Sequence, residues 1–236
     1  MAQFHFVEDY EKLVASLMAA YPIDEAMSRL AGGNYELFGL IEAAILRTAG
    51  LEDGMRLVDL GCGGGRLASA LHASSDISFV GIDIVQALLD YASTKAPKYQ
   101  FLLHRGLSIP QEDSSADFVS AFSVFTHLLQ AETYIYLEEC VRVLRPGGRI
   151  VFSFLEFAEP KHWDVFAHTR RQALEGNGDH LNMFIERGAI EVWATMLGLV
   201  VERYVSANTP SFNGHALGQS VAVLRKPLPN SAANDS

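Results

Sequence analysis

The chain has 236 residues, enough to bury a sizeable core without disulfide or metal staples. Its 49% hydrophobic and 19% charged residues describe an ordinary globular composition, and a formal net charge of -10 argues against a protein that grips a nucleic-acid backbone. No run of about 18 apolar residues offers a spanning helix, the opening MAQFHFVEDYEK lacks the basic-then-apolar pattern of a secretory leader, and the two cysteines, Cys62 and Cys140, fit a reducing, cytoplasmic setting without a disulfide framework.

From Phe4 to about Gly50 apolar residues recur at helical spacing in two groups, Leu13, Leu17 and Met18, then Leu37, Leu40, Ile41 and Ile45, with Gly32-Gly33-Asn34 between them. Residues 1–50 therefore read as an N-terminal helical cap. The pattern then alternates. Met55–Leu60 is a short apolar strand, Gly65 to about Ala73 a helix, Ser78–Asp83 a strand and Val85–Lys95 a helix. Tyr99–His104 and Asp117–Phe122 are strands, Glu132–Leu144 is a helix, and Pro146-Gly147-Gly148 turns the chain into a strand at Arg149–Leu155. Ala189–Leu197 reads as a helix, and Leu199–Val205 and Gln219–Arg225 as strands placed to pair antiparallel. This alternation predicts an α/β fold with a doubly wound, largely parallel sheet and helices on both faces. Residues 51–226 form the main domain. A long break at about 156–184 is expected to be functional or partly disordered, and 227–236 a disordered tail.

The strongest local signal is VDLGCGGGRLA, starting at Val58. Glycines at a strand-to-helix junction let the backbone bend sharply and approach a ligand, and the following helix offers unpaired N–H groups at its positive end. Asp59 stands at the carboxyl end of the first strand, the edge where open α/β sheets bind ligands. About 20 residues on, GIDI places Asp83 at the end of the second strand, where a carboxylate accepts both hydroxyls of a ribose. Loop and acid together predict an adenosine cofactor without saying which. Gly63 to Ala68 also satisfies G-x-G-x-x-A, a dinucleotide fingerprint, and the glycines alone are compatible with a mere tight turn. An acid before the loop suits an amino-acid tail better than a nicotinamide dinucleotide.

At this point the sequence resembles the class I S-adenosylmethionine-dependent methyltransferases. The resemblance spans about Met55 to Leu155 and rests on VDLGCGGGR, GIDI, SADFVSAFSVFTHL and RVLRPGGRIVFSF in order; the SVFTHL stretch is similar to bacterial small-molecule members. It implies a Rossmann-like seven-stranded sheet of order 3-2-1-4-5-7-6 with strand 7 antiparallel, and S-adenosylmethionine as cofactor. Asp59, Gly61 and Gly63, with Cys62 between them, would line its methionine portion. Asp83 would hold the ribose, Ile84 pack on the adenine, Gly106 and Leu107 meet the adenine edge, and Phe122 and Ser123 flank the sulfonium. The chain departs from many relatives in carrying Arg105, not an acid, before Gly106.

His127, a few residues past the fourth strand, is the candidate general base, since neutral imidazole suits proton removal near neutral pH; the competing reading is a histidine that packs or positions substrate. Tyr35 is placed to close over the cofactor, or to be core. Trp163 and Phe166 line an acceptor pocket or anchor the 156–184 segment. Arg66 meets a carboxylate or is solvated. The remaining histidines, among them His162 and His168, show no metal-ligand spacing and read as surface positions. The expected function is methyl transfer to a small-molecule acceptor, chiefly through oxygen, by a monomer or homodimer with no nucleic-acid or membrane partner. The alternatives are an NAD(P)-dependent oxidoreductase, against which the lack of a Tyr-x-x-x-Lys pair counts, and a non-catalytic S-adenosylmethionine-binding protein.

Overall fold

In the computed structural model, which describes residues 7–176 and 181–229, the alternating middle of the chain becomes one seven-stranded sheet. The parallel strands are β1 (Arg56–Leu60), β2 (Ser78–Asp83), β3 (Gln100–Leu103), β4 (Ala116–Ala121) and β5 (Leu144–Phe154). β6 (Val200–Val205) lies at the far edge, and β7 (Ser220–Arg225) runs antiparallel to both β5 and β6. The order is β3-β2-β1-β4-β5-β7-β6, with the reversed strand where the resemblance implies it. A short hairpin, Pro210–Phe212 with His215–Ala216, lies in sequence between β6 and β7.

Both sheet faces are apolar because the central strands β1, β2, β4 and β5 are buried on both sides. Side chains on a strand point alternately up and down. Val58, Leu60, Val80, Ile82, Val119 and Ala121 thus fall in one core, and Leu57, Phe79, Phe118 and Val151 in the other. The first core is closed by Leu137 and Cys140 of α6 (Gln130–Val143) and Ile190 of α8 (Arg187–Met196); the second by α3 (Tyr35–Thr48) and α4 (Arg66–Ser74). The α3–α4 crossing is close: a Cβ on Gly39 would lie 2.3 Å from the Arg66 carbonyl oxygen. Gly39→Ala must push the two helices apart. Overpacking of this kind costs about 1–3 kcal/mol, so thermal denaturation should show a Tm lower by roughly 3–10 °C. An unchanged Tm would contradict this packing.

The first group of helical residues is split in two. Tyr21-Pro22 separates α1 (Val7–Ala20) from α2 (Ile23–Leu30), because the residue before a proline is driven out of the helical region. Asn34 caps α3, its Oδ1 accepting from the Leu37 N–H at 3.2 Å. α1 and α2 pack on α5 (Gln86–Lys95) through a third cluster that joins Val14 and Met27 to Val85 and Leu88.

Part of the segment at 156–184 is helical. It contains α7 (His162–Glu175), locked at its base by a cluster of four aromatics, Phe157, Trp163, Phe166 and Phe184, joined by ring contacts with centroids 4.4 to 5.7 Å apart. His162 is not on the surface: it is 1% exposed, its Nδ1 3.1 Å from the Glu156 carbonyl oxygen and its Nε2 3.3 Å from that of Gly218. A ring enclosed by backbone polar groups reads from sequence like any isolated histidine. His180, and most of the tail expected at 227–236, lie outside the described residues. Among the described residues no helix is long and apolar enough to cross a membrane.

Candidate active site

The bend after β1 is built by conformation. Gly61, Gly63 and Gly65 have φ of +61°, +54° and +78°, a region that side-chain-bearing residues rarely adopt. A Cβ on Gly61 would lie 2.5 Å from Val124 Cγ2, whereas one on Gly63 would meet nothing within 4 Å. The first glycine thus permits close packing against the loop after β4, and the second leaves the backbone open. Asp83, from the end of β2, holds the bend: its Oδ2 accepts from the Gly63 N–H at 2.8 Å and its Oδ1 from the Val85 N–H at 3.0 Å. Burial raises its carboxyl above the usual range, and these backbone donors pull it back.

A cavity of about 320 Å³ opens over this bend. Asp59, Gly61, Cys62 and Gly63 form one wall; Phe122, Ser123 and His127, after β4, form another; Tyr10, Tyr35, Phe38 and Glu42 close it from the N-terminal helices. Asp59 is 3% exposed, and its Oδ1 accepts from the Ser120 hydroxyl at 2.6 Å. Burial pushes its carboxyl up to about 8 against the opposing pull of Ser120. Burial likewise lifts the Cys62 thiol well above its usual value, so the sulfur sits in the loop as a small apolar filler.

The α3 residues arrive by helical spacing. Tyr35, Phe38 and Glu42 recur at i, i+3 and i+7, on one face. Tyr35 donates its hydroxyl to the Gly64 carbonyl at 2.7 Å, pinning α3 to the glycine bend. Arg66 finds its carboxylate: Nη2 lies 2.5 Å from Glu42 Oε1, while Nη1 donates to the Ala31 carbonyl at 2.8 Å. A single guanidinium therefore joins α4 to α3 and to the turn after α2.

Beyond β4 the chain turns through Ser123, at φ +58°, into a single helical turn, Phe125–His127. The exposed imidazole of His127 faces the cavity, with Nδ1 2.9 Å from the Leu181 carbonyl oxygen. That carbonyl can only accept, so in the neutral ring Nδ1 carries the proton and Nε2 the lone pair.

Other expected site residues lie apart from the cavity wall. Asp83, Ile84, Gly106 and Leu107 cluster on the adjoining edge, where Tyr136 donates to the Gly106 carbonyl at 3.1 Å. Ile84 packs there against the cluster that contains Val14 of α1. Arg105 explains its own departure from the family pattern: Nε donates to the Ile84 carbonyl at 3.0 Å and the guanidinium pairs with Glu11, tying α1 down over this edge. Asp83 is close enough to oppose ionisation of Tyr10, whose phenol is pushed up to about 12, chiefly by burial. Trp163 is 50% exposed, donates to the Phe157 carbonyl at 3.0 Å and anchors the aromatic cluster, outside the cavity wall. Missing from the sequence reading are Glu42, Phe38 and Tyr10, legible only through the helical spacing of the cap, and Leu217 and Gln219, which enter from the turn just before β7 with no motif to mark them.

Residues 58–152 match a family described as "Methyltransferase domain". The chain is 29% identical over 133 residues to the 27-O-demethylrifamycin SV methyltransferase of Amycolatopsis mediterranei, covering 53% of this chain and 48% of that one. It is 28% identical over 185 residues to the ubiquinone biosynthesis O-methyltransferase of Nitrosococcus oceani, covering 72% and 74%. The chain spans about half the length of the first two curated relatives it matches. Among solved structures, the magnesium protoporphyrin IX methyltransferase of Synechocystis PCC 6803, with bound S-adenosylhomocysteine, superposes with a TM-score of 0.62 at 16% identity, over 81% of this chain and 83% of that one. At that identity the likeness establishes a common fold.

Proposed function

Because residues 58–152 carry a class I S-adenosylmethionine-dependent methyltransferase domain, we propose that the chain transfers a methyl group to a hydroxyl oxygen of a small molecule. The observation that carries the reading is Asp59, a buried carboxylate facing the cavity beneath glycines of positive φ. Its burial disfavours the charge until a cation arrives, which fits the ammonium of an amino-acid tail. The open side of Gly63 leaves room for that tail. Asp83, with Ile84, Gly106 and Leu107, would take the adenosine half, and Phe122 and Ser123 the sulfonium. α1 covers the adenosine edge, so the N-terminal helices act as a cap that shifts to admit cofactor. S-adenosylmethionine, when bound, supplies an electrophilic methyl group that needs orientation more than activation. His127 takes the proton of the acceptor hydroxyl on Nε2, while Tyr35 and Phe38 shut water out above it. Named O-methyltransferases among the relatives support the oxygen acceptor. A soluble, cytoplasmic setting with a small-molecule partner fits this reading, and nothing observed favours a nicotinamide cofactor.

The test is a calorimetric titration with S-adenosylhomocysteine from pH 6 to 8. In the free protein Asp59 keeps its proton up to about pH 8; a bound ammonium must displace it. Affinity therefore climbs with pH, by at most tenfold per unit, and roughly tenfold or more across the range. The sign for folding is the reverse: an acid whose folded pKa is raised contributes stability at low pH that is lost as pH rises toward 8. Asp59→Asn should flatten the affinity profile. A flat wild-type profile would count against the assignment.

A further inference from the structure

Gln219 lines the cavity next to the strained Ser123, and nothing in the sequence pattern marks it. Its carboxamide is oriented by two serines. The Ser153 hydroxyl oxygen, fully buried on β5, accepts from the Ser123 N–H at 2.7 Å and lies 2.6 Å from Gln219 Oε1. The Ser123 hydroxyl donates to the same oxygen at 3.3 Å. The orientation of the amide follows from counting protons. Ser153 already accepts one hydrogen bond, so its own proton needs an acceptor. A flipped amide would offer it N–H against O–H, and leave a buried proton unsatisfied. The 2.6 Å separation is also an O–H···O length, short for N–H···O. Oε1 is thus spent on the two serines. The Nε2 side lies away from them in a residue that lines the cavity, and has no hydrogen-bond partner among the described residues.

We infer that Gln219 Nε2–H donates to the nucleophilic oxygen of the acceptor and so selects an alcohol over an amine. This rests on the methyltransferase reading above. A hydroxyl oxygen that gives its proton to His127 has more than one lone pair. One forms the bond to the methyl carbon as the carbon–sulfur bond breaks and its electrons pass to sulfur; another accepts from Gln219. A deprotonated primary amine has a single lone pair, which must face the methyl carbon, and it turns N–H groups toward the N–H groups of Gln219. Leaving a donor unpaired in such a site discriminates strongly. Phe38, Phe122, Tyr10 and Tyr35 line the same cavity, so the geometry favours a hydroxyl on a planar, largely apolar body, a phenol or an enol.

The test uses the full chain saturated with sinefungin, an S-adenosylmethionine analogue that keeps a substituent where the transferred methyl group would stand, and two isosteric probes, 2-naphthol and 2-naphthylamine, titrated calorimetrically. Wild type should bind the naphthol at least about tenfold more tightly. Gln219→Glu keeps an oxygen for the serines but turns a second oxygen, not an N–H group, toward the cavity; with the naphthol proton held by His127 two oxygens then face each other, and the preference for the naphthol should fall to about threefold or less. Gln219→Leu should bind the two probes alike. Affinity for S-adenosylhomocysteine should stay within about threefold in both variants, which also shows that they fold. Equal binding by wild type, binding of neither probe, or a preference that survives both substitutions overturns the inference and leaves the methyltransferase reading intact. If wild type gives no heat with S-adenosylhomocysteine, the reading fails and this inference with it.

Discussion

Asp83→Ala will bind S-adenosylhomocysteine at least about 100-fold more weakly than the wild-type chain, a loss of roughly 3 kcal/mol. Two effects add. The carboxylate is the partner proposed for the ribose hydroxyls, and each hydrogen bond to a charged group contributes roughly 1.5–3 kcal/mol. The same two oxygens hold the Gly63 and Val85 N–H groups, so the substitution also frees the bend that shapes the methionine side of the site. Asp83→Asn separates the two. It keeps one acceptor oxygen in place and turns an N–H group toward one backbone donor, so its affinity should fall between the two. Calorimetry gives the affinities and a thermal melt reports the loosened loop. Wild-type affinity in Asp83→Ala would remove this residue from the site.

His127→Gln should lower turnover of a phenolic acceptor about 100-fold or more while leaving S-adenosylhomocysteine affinity unchanged. The distinction from a packing role lies in the acceptor. When the hydroxyl is protonated at the assay pH, a base must take its proton, and the full loss appears. When the acceptor is already ionised, no base is needed, and the loss should shrink to about threefold or less. A histidine that merely shapes the loop would cost both acceptors alike. The Leu181 carbonyl at Nδ1 is what makes the base reading specific, because it fixes which nitrogen bears the lone pair.

The parts of this molecule that were legible in its sequence are those where chemistry restricts residue choice. Strands buried on both faces must be continuous apolar runs, and β1, β2 and β4 stood out for that reason. A backbone bend with φ near +60° is nearly restricted to glycine, so Gly61, Gly63 and Gly65 were visible. Asp83 was visible by its distance from them, though its hold on the Gly63 N–H was not. Less was legible where several residue types serve equally well. Pro22 divides the first helical stretch, yet a proline in a polar stretch marks an end without telling which helix follows. α7 carries little apolar periodicity of its own; it is held by an aromatic cluster that draws on Phe157 and Phe184 from outside it. His162 and Trp163 are neighbours, and the one expected on the surface is buried while the one weighed for the acceptor pocket is half exposed. Gln219 reaches Ser123 and Ser153 only through the antiparallel pairing of β7 with β5, a contact across 66 residues that no local pattern announces.

Arg105 shows how a departure from a family pattern becomes readable once the fold is known. Where an acid would reach toward the cofactor, this chain places a cation that bridges the Ile84 carbonyl and Glu11. The pair is half exposed, worth at most about 1 kcal/mol, and so is compatible with the cap movement proposed above.

Titration of the unmodified chain with S-adenosylhomocysteine, read by heat and by thermal shift, tests the account at its root. One site per chain, with a dissociation constant in the micromolar range or tighter and a melting temperature that rises with ligand concentration, is the predicted result. Silence with that compound, in a sample that gives heat with a nicotinamide dinucleotide, would contradict it.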